Sequence, residues 1–191
     1  MRVAILPARG GSQRIPRKNI RRFHGHPMLH YPITAAKVYG LFDRIIVSTD
    51  DDEIADVAVA EDADVFLRPS DDGTKGTQEV ARDVLLTLQG VTEACVIYPC
   101  SPMLTASDLM RGHALLKRPG TLYAMSVQTD PLADAGCFYF GMAEAFMVRA
   151  PLIAAHTVMV PMPASRCIDI NTEDDWIKAE AMYREWRARH V

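Results

Sequence analysis

The stretch Val3-Ala4-Ile5-Leu6-Pro7 runs straight into Ala8-Arg9-Gly10-Gly11-Ser12-Gln13-Arg14-Ile15-Pro16-Arg17-Lys18-Asn19, and this junction limits what the chain can become. A short apolar run of this kind makes a strand buried on both faces, as in parallel sheets. The loop after it holds two adjacent glycines and four cationic side chains, Arg9, Arg14, Arg17 and Lys18, within ten residues. Such crowding repels itself unless an anion sits among the charges. A polyphosphate suits it, because glycines let backbone N–H groups approach oxygens while Arg and Lys supply bidentate and point-charge contacts. The familiar phosphate loops do not fit. No Gly-Lys-Ser/Thr closes the loop, and Ile15-Pro16 stands near where a dinucleotide fingerprint would place its third glycine. A solvated basic loop is the alternative that the residues alone leave open.

At 191 residues the chain is long enough for one domain with a sizeable core, read here as a single domain over residues 1–191. Its net charge of −3 argues against nucleic acid as a partner, since basic density is local to the loop and to Arg184–Arg189. No apolar run is long enough to cross a bilayer, and Met1 leads directly into the first strand without a signal-like stretch, so no membrane partner and a cytoplasmic location are expected. Cys95, Cys100, Cys137 and Cys167 lack paired C-x-x-C spacing and read as reduced, buried thiols.

Further along, apolar periodicity predicts a helix over about 28–39, with Leu29, Ile33, Ala36 and Val38 on its apolar side. His24 and His26 in the preceding turn lack a rigid frame for a metal. Arg44–Ser48 reads as a strand, and Thr49 as the cap of a helix whose first turn carries Asp50, Asp51, Asp52 and Glu53. Asp50, at a strand's carboxyl end, is a further site candidate. Asp64–Leu67 is a third strand, followed by Arg68-Pro69, a polar loop over 70–76 and a helix capped near Thr77. A strand over 94–98 turns at Pro99-Cys100-Ser101-Pro102 toward a helix begun near Ser107, and another strand spans 121–127. Thr172 and Asp175 have capping-box-like spacing ahead of an amphipathic helix to about Arg189, leaving Asp169 just upstream of it. Alternating strands and helices indicate an α/β fold with three layers and a mostly parallel sheet, its site beyond the strand carboxyl ends.

The string LPARGGSQRIPRKNI closely resembles the N-terminal signature of the acylneuraminate cytidylyltransferase family, the CMP-activating enzymes for sialic, pseudaminic and related acids. VSTDDDEIADVA, Arg68-Pro69, Ser101-Pro102, Asp134-Ala135-Gly136-Cys137-Phe138-Tyr139 and Asp169-Ile170-Asn171-Thr172 continue the resemblance in order. The Asp134–Tyr139 motif is similar to the pseudaminic acid branch. The resemblance implies a Rossmann-like nucleotidyltransferase fold and transfer of CMP from CTP to a 2-keto-3-deoxy sugar acid, with release of pyrophosphate. It implies Arg9 and Lys18 as catalytic cations, and Ala8, Arg9, Gly10, Asn19, Arg68, Thr77 and Ser101 as nucleotide-binding, Arg68 and Thr77 contacting cytosine. It further implies Asp169 as the ligand of a catalytic Mg²⁺. Arg68 as an edge charge, Thr77 as a helix cap and Ser101 as a turn former stay open beside those roles.

Departures from the family pattern are His26 for a basic residue, Cys137 for a Gln, and Asn171 for a second aspartate. An amide brings no negative charge, so metal binding should be weaker. The largest departure lies at Gln128–Ala133, where relatives carry a segment of a few tens of residues that forms part of the sugar-acid site and a dimerisation extension. A homo-oligomer therefore stays open. So do two other readings, a transferase for a smaller acid and a non-catalytic nucleotide-binding protein on the same scaffold.

Overall fold

The computed structural model describes residues 1–70, 74–130 and 132–190. In chain order its elements begin with β1 (Arg2–Pro7), a small antiparallel ribbon β2 (Arg22–Phe23) and β3 (His26–Pro27), then α1 (His30–Tyr39), β4 (Arg44–Thr49) and α2 (Asp52–Ala60). There follow β5 (Asp64–Leu67), α3 (Thr77–Leu85), β6 (Glu93–Ile97), α4 (Ala106–Leu116), β7 (Tyr123–Thr129) and β8 (Leu132–Met142). The chain ends with α5 (Ala143–Met147), β9 (Thr157–Met162), a 3₁₀ turn (Ala164–Arg166) and α6 (Glu173–His190). Seven strands form one sheet in the order β5-β4-β1-β6-β8-β7-β9. All neighbours pair in parallel except β8, which runs antiparallel to both β6 and β7.

The alternation of β1 explains the layers. Ala4 and Leu6 point to one face, where they meet Leu29 and Ile33 beside α1, Ile54 and Ala58 of α2, and Leu109 of α4. Val3 and Ile5 point to the other, against Ala81, Val84 and Leu85 of α3 and Phe146 of α5. Each Val, Leu, Ile or Phe side chain among them contributes about 1.5–3 kcal/mol when fully buried. The two clusters sandwich the sheet, which is the three-layer α/β arrangement expected. A third cluster joins Ile15, Phe23, Met28 and Met103 to Trp176, Ala179 and Tyr183, so α6 packs on the N-terminal loop rather than on the sheet. The face of α4 that meets β8 carries Gly112, where an added Cβ would stand 2.6 Å from Phe138. No helix among the described residues is long and apolar enough to cross a membrane.

Several local expectations are corrected. Val38 is 71% exposed, because it lies two positions past Ala36 and so about 200° round the helix. The cap of α2 is Asp51, whose side chain accepts from the Ile54 N–H; Thr49 ends the strand, and its hydroxyl accepts from the Asp51 N–H. Thr77 is the first residue of α3 and Gly76 its cap, with the Gly76 N–H donating to the Glu79 carboxylate. Helix α4 begins at Ala106, beside the Ser107 read from sequence, and Thr105 caps it. The polar loop over 70–76 lies in part, at 71–73, outside the described residues. Strand β7 extends to Thr129 and pairs directly with β8 through Thr129↔Leu132, so the Gln128–Ala133 segment belongs to a hairpin; its Pro131 lies outside the described residues. Cys95, Cys137 and Cys167 are buried as expected, and Cys100 is half-buried.

Candidate active site

Strand order reverses beside β1: the chain moves from β1 to β4 and β5 on one side, then returns to β6 on the other. Ligands of open α/β sheets gather at such a point, beyond the carboxyl ends. The loop leaving β1 here is fixed by its neighbours. The Gly10 N–H donates to Asp50 Oδ1 at 2.8 Å, and a Cβ on Gly10 would come within 2.4 Å of Asp51 Oδ2. Arg17, at φ 58°, donates to both Asp51 oxygens at 2.5 and 3.1 Å and pairs with Glu53 at 2.6 Å. That hydrogen bonding holds the Asp51 carboxyl below its ordinary range. The run of acids after β4 therefore tethers the loop as well as capping α2. Ile15 is fully buried against the α6 cluster, and the buried Asn19 amide donates to the Arg9 carbonyl at 2.9 Å.

So held, the loop forms one wall of a cleft of 410 Å³. Arg9, Arg14, Lys18 and Asn19 face Tyr98, Pro99 and Cys100 beyond β6, with Gly136 of β8 and Ile168, Asp169 and Asn171 completing the lining. Three cations and a single carboxylate thus line it among the described residues. The loop also bridges to the segment before α6, through Lys18 Nζ to the Ile170 carbonyl at 2.6 Å and Arg14 to Asn171 Oδ1 at 2.8 Å. Each cation keeps donors to spare, since an ammonium has three and a guanidinium five. The guanidinium of Arg9 makes no hydrogen bond or ion pair with the described residues. Burial pushes the Cys100 thiol up to about 11, although nearby Lys18 pulls it down, so it is a neutral donor, 3.6 Å from Asn19 Oδ1.

The structure brings Arg9, Lys18, Asn19 and Asp169 together in this cleft and leaves the other proposed residues behind or beside it. Ala8 is fully buried, its N–H bonded to the Ser48 carbonyl. Ser101 is buried behind the lining, its hydroxyl 3.4 Å from the Gly136 carbonyl. Thr77 sits one layer back, its hydroxyl 2.6 Å from that of Tyr98. Arg68 is buried at the end of β5, outside the cleft lining, its N–H donating to the Thr49 carbonyl. Asp50 takes the Gly10 N–H and the Ser70 hydroxyl and so acts on the loop. Tyr98 was not singled out from sequence. The available signal was a polar-tipped aromatic at the carboxyl end of an apolar strand.

The fold agrees with comparison to known proteins. The profile of the family described as "Cytidylyltransferase" matches residues 3–124, which span β1 through the start of β7. The chain belongs to the cytidylyltransferase family. Among curated members it is 29% identical to pseudaminic acid cytidylyltransferase of Campylobacter jejuni, over 222 aligned positions covering 95% of this chain and 96% of that protein. It is 27% identical to N-acylneuraminate cytidylyltransferase A of Danio rerio, over 93% of this chain and 49% of the other. A solved structure of CMP:2-keto-3-deoxy-manno-octonic acid synthetase complexed with CTP superposes with a TM-score of 0.81 at 13% identity, covering 96% and 98% of the two chains. That likeness establishes the nucleotidyltransferase fold.

For a cytidylyltransferase cleft, the donor set bears on what metal it could hold. Asp169 is exposed, and its Oδ2 accepts from Asn171 Nδ2 at 2.5 Å. No group of three or more His, Cys, Asp or Glu residues poised for a metal occurs among the described residues. One carboxylate beside three cations fits Mg²⁺ that is shared with substrate phosphates, because Mg²⁺ retains waters and commonly uses one or two carboxylates plus phosphate oxygens.

Proposed function

We propose that this chain transfers CMP from CTP to a 2-keto-3-deoxy sugar acid of the pseudaminic or sialic type, releasing pyrophosphate. The observation that carries this reading is the convergence of Arg9, Arg14, Lys18 and Asp169 at the sheet's switch point. The named activities of its relatives on such acids support the acceptor class. In the reaction the acceptor's anomeric hydroxyl oxygen bonds to the α-phosphorus, the bond to the bridging oxygen of pyrophosphate breaks in line, and the hydroxyl proton leaves to solvent. Arg9 and Lys18 neutralise charge on the triphosphate and hold it still, and catalysis is positioning plus electrostatics. Asn19 keeps the Arg9 backbone in place. Asp169 would hold Mg²⁺, which when bound supplies further neutralisation of the leaving pyrophosphate.

Arg9→Ala and Lys18→Ala should each weaken CTP binding or turnover at least about tenfold, the effect of removing a charge-assisted contact. CTP titration by calorimetry and a pyrophosphate-release assay across a panel of sugar acids read both. Unchanged titrations in both variants would place the nucleotide elsewhere. CTP binding without pyrophosphate release on any acid would favour a non-catalytic binding protein.

A further inference from the structure

Outside the cleft, the carboxylate of Asp108 is 2% exposed on the first turn of α4 and gathers donors from two separate parts of the chain. Arg166 of the 3₁₀ turn binds it bidentately, at 2.5 and 2.9 Å. Thr105 donates its hydroxyl at 2.7 Å and Arg111 a guanidinium N–H at 2.7 Å. Arg166 also donates to the Met103 carbonyl at 3.2 Å. Met103 belongs to the connection from β6 to α4, whose earlier residues Pro99 and Cys100 line the cleft. Arg166 stands three residues before Asp169, and the backbone between them carries the buried Cys167. One bidentate pair thus ties α4 and the β6–α4 connection to the segment that carries Asp169; neither partner lines the cleft, and both line a separate cavity of 850 Å³.

We propose that the Asp108–Arg166 pair is a positioning device that fixes the segment carrying Asp169 against the β6–α4 connection, and through it the metal-holding carboxylate against the nucleotide phosphates. The inference rests on the reading of Asp169 given above. Burial opposes ionisation of Asp108, yet the hydrogen bonds from Arg166 and Thr105 and the charge of Arg166 hold its carboxyl below the ordinary range, so the pair is charged at neutral pH. Planar, two-point contact is what makes it orienting, and a lysine would keep the charge but lose the angle.

The test compares Arg166→Ala, Arg166→Lys and the apolar double variant Asp108→Leu/Arg166→Met. Removing one partner of a buried pair strands the other, whereas replacing both by apolar groups commonly preserves stability. The double variant therefore separates positioning from folding. At matched thermal stability, its kcat should fall and its half-saturating Mg²⁺ rise by about tenfold or more, the usual range for residues that orient a metal ligand. KM for CTP at saturating Mg²⁺ should stay within about threefold. Arg166→Lys should recover part of the loss. Mn²⁺ binding to the CTP complex, followed by electron paramagnetic resonance, should weaken in parallel without any turnover. A folded double variant with wild-type Mn²⁺ affinity and Mg²⁺ dependence would overturn the proposal. Asp169→Asn separates it from its premise: full activity there removes both, while lost activity there with unaffected Arg166 variants removes this inference alone.

Discussion

At the scale of single residues, the loop after β1 is set by contacts that need particular side chains, and Gly10 is the tightest. Any Cβ there would meet Asp51 at 2.4–2.9 Å, and Asp51 is itself held by Arg17 and by the cap of α2. The carboxylate cannot swing away cheaply. Gly10→Ala should therefore cost about 1–3 kcal/mol, the range for overpacking a fixed site, and weaken CTP binding because the Arg9 backbone moves with it. Thermal unfolding and CTP titration of that variant check both effects, and unchanged values would mean that the loop relaxes freely. Density of charge made the cationic loop legible in the sequence, while the choice of Arg9 and Lys18 within it rests on the family resemblance. The diversion of Arg17 to Asp51, 34 residues away, was not legible, since nothing local says which of four neighbouring cations will face a carboxylate instead of the ligand.

At the scale of elements, the opposite end of the sheet carries its own charge cluster. Glu93, the first residue of β6, is 3% exposed and receives Arg2 at 2.6 Å, His113 of α4 at 3.0 Å and Lys117. It locks the start of β1 and the end of α4 to β6. Burial pushes the Glu93 carboxyl up, but hydrogen bonds from Lys117 and Arg2 outweigh it and bring the pKa down to about 2. A depressed carboxyl contributes stability that is full above its unfolded value and is lost as pH falls through the folded one, here from about 4.5 down to about 2. Burial and the charge of Arg2 also lower His113, which adds a loss beginning below its ordinary 6.5. Glu93→Gln should destabilise by about 3–5 kcal/mol at neutral pH, as expected when a buried pair loses one partner, and its deficit against wild type should shrink on acidification toward pH 2. Urea midpoints measured across pH test this, and a pH-independent deficit would count against it. Parallel strands β1, β4 and β6 were legible as apolar runs. The antiparallel sense of β8 was not, because direction depends on the partners a strand meets, and β9, with an exposed Pro161 on the sheet's edge, does not read as a strand locally.

At the scale of the whole molecule, the function proposed above puts nucleotide and acceptor contacts on different parts of the chain. The loop after β1, the β6–α4 connection and the segment before α6 are all present and tied together. The connection between β7 and β8, by contrast, closes after Thr129↔Leu132, and alignment with the Campylobacter enzyme runs over 222 positions against a chain of 191. That relative therefore carries residues this chain lacks, and the hairpin is where sequence motifs place the loss. Order among the motifs made the fold and the grouping of Arg9, Lys18, Asn19 and Asp169 legible, whereas Ala8, Arg68, Thr77 and Ser101 lie outside the cleft lining; a segment that is absent leaves no residues to read. Selection for CTP should persist, with UTP or ATP worse by about two orders of magnitude, since a site built to hydrogen-bond one base leaves polar groups unpaired with another. The acceptor should behave otherwise, because fewer walls mean fewer contacts and more water beside the attacking hydroxyl. Steady-state kinetics over a panel of nonulosonic acids should give high acceptor KM values, or activity that rises with protein concentration if a second copy completes the pocket. Light scattering on the same samples separates those two outcomes. Tight, selective turnover of one acid by a protein that stays monomeric would show that the lost segment was dispensable, and the division of labour argued here would be wrong.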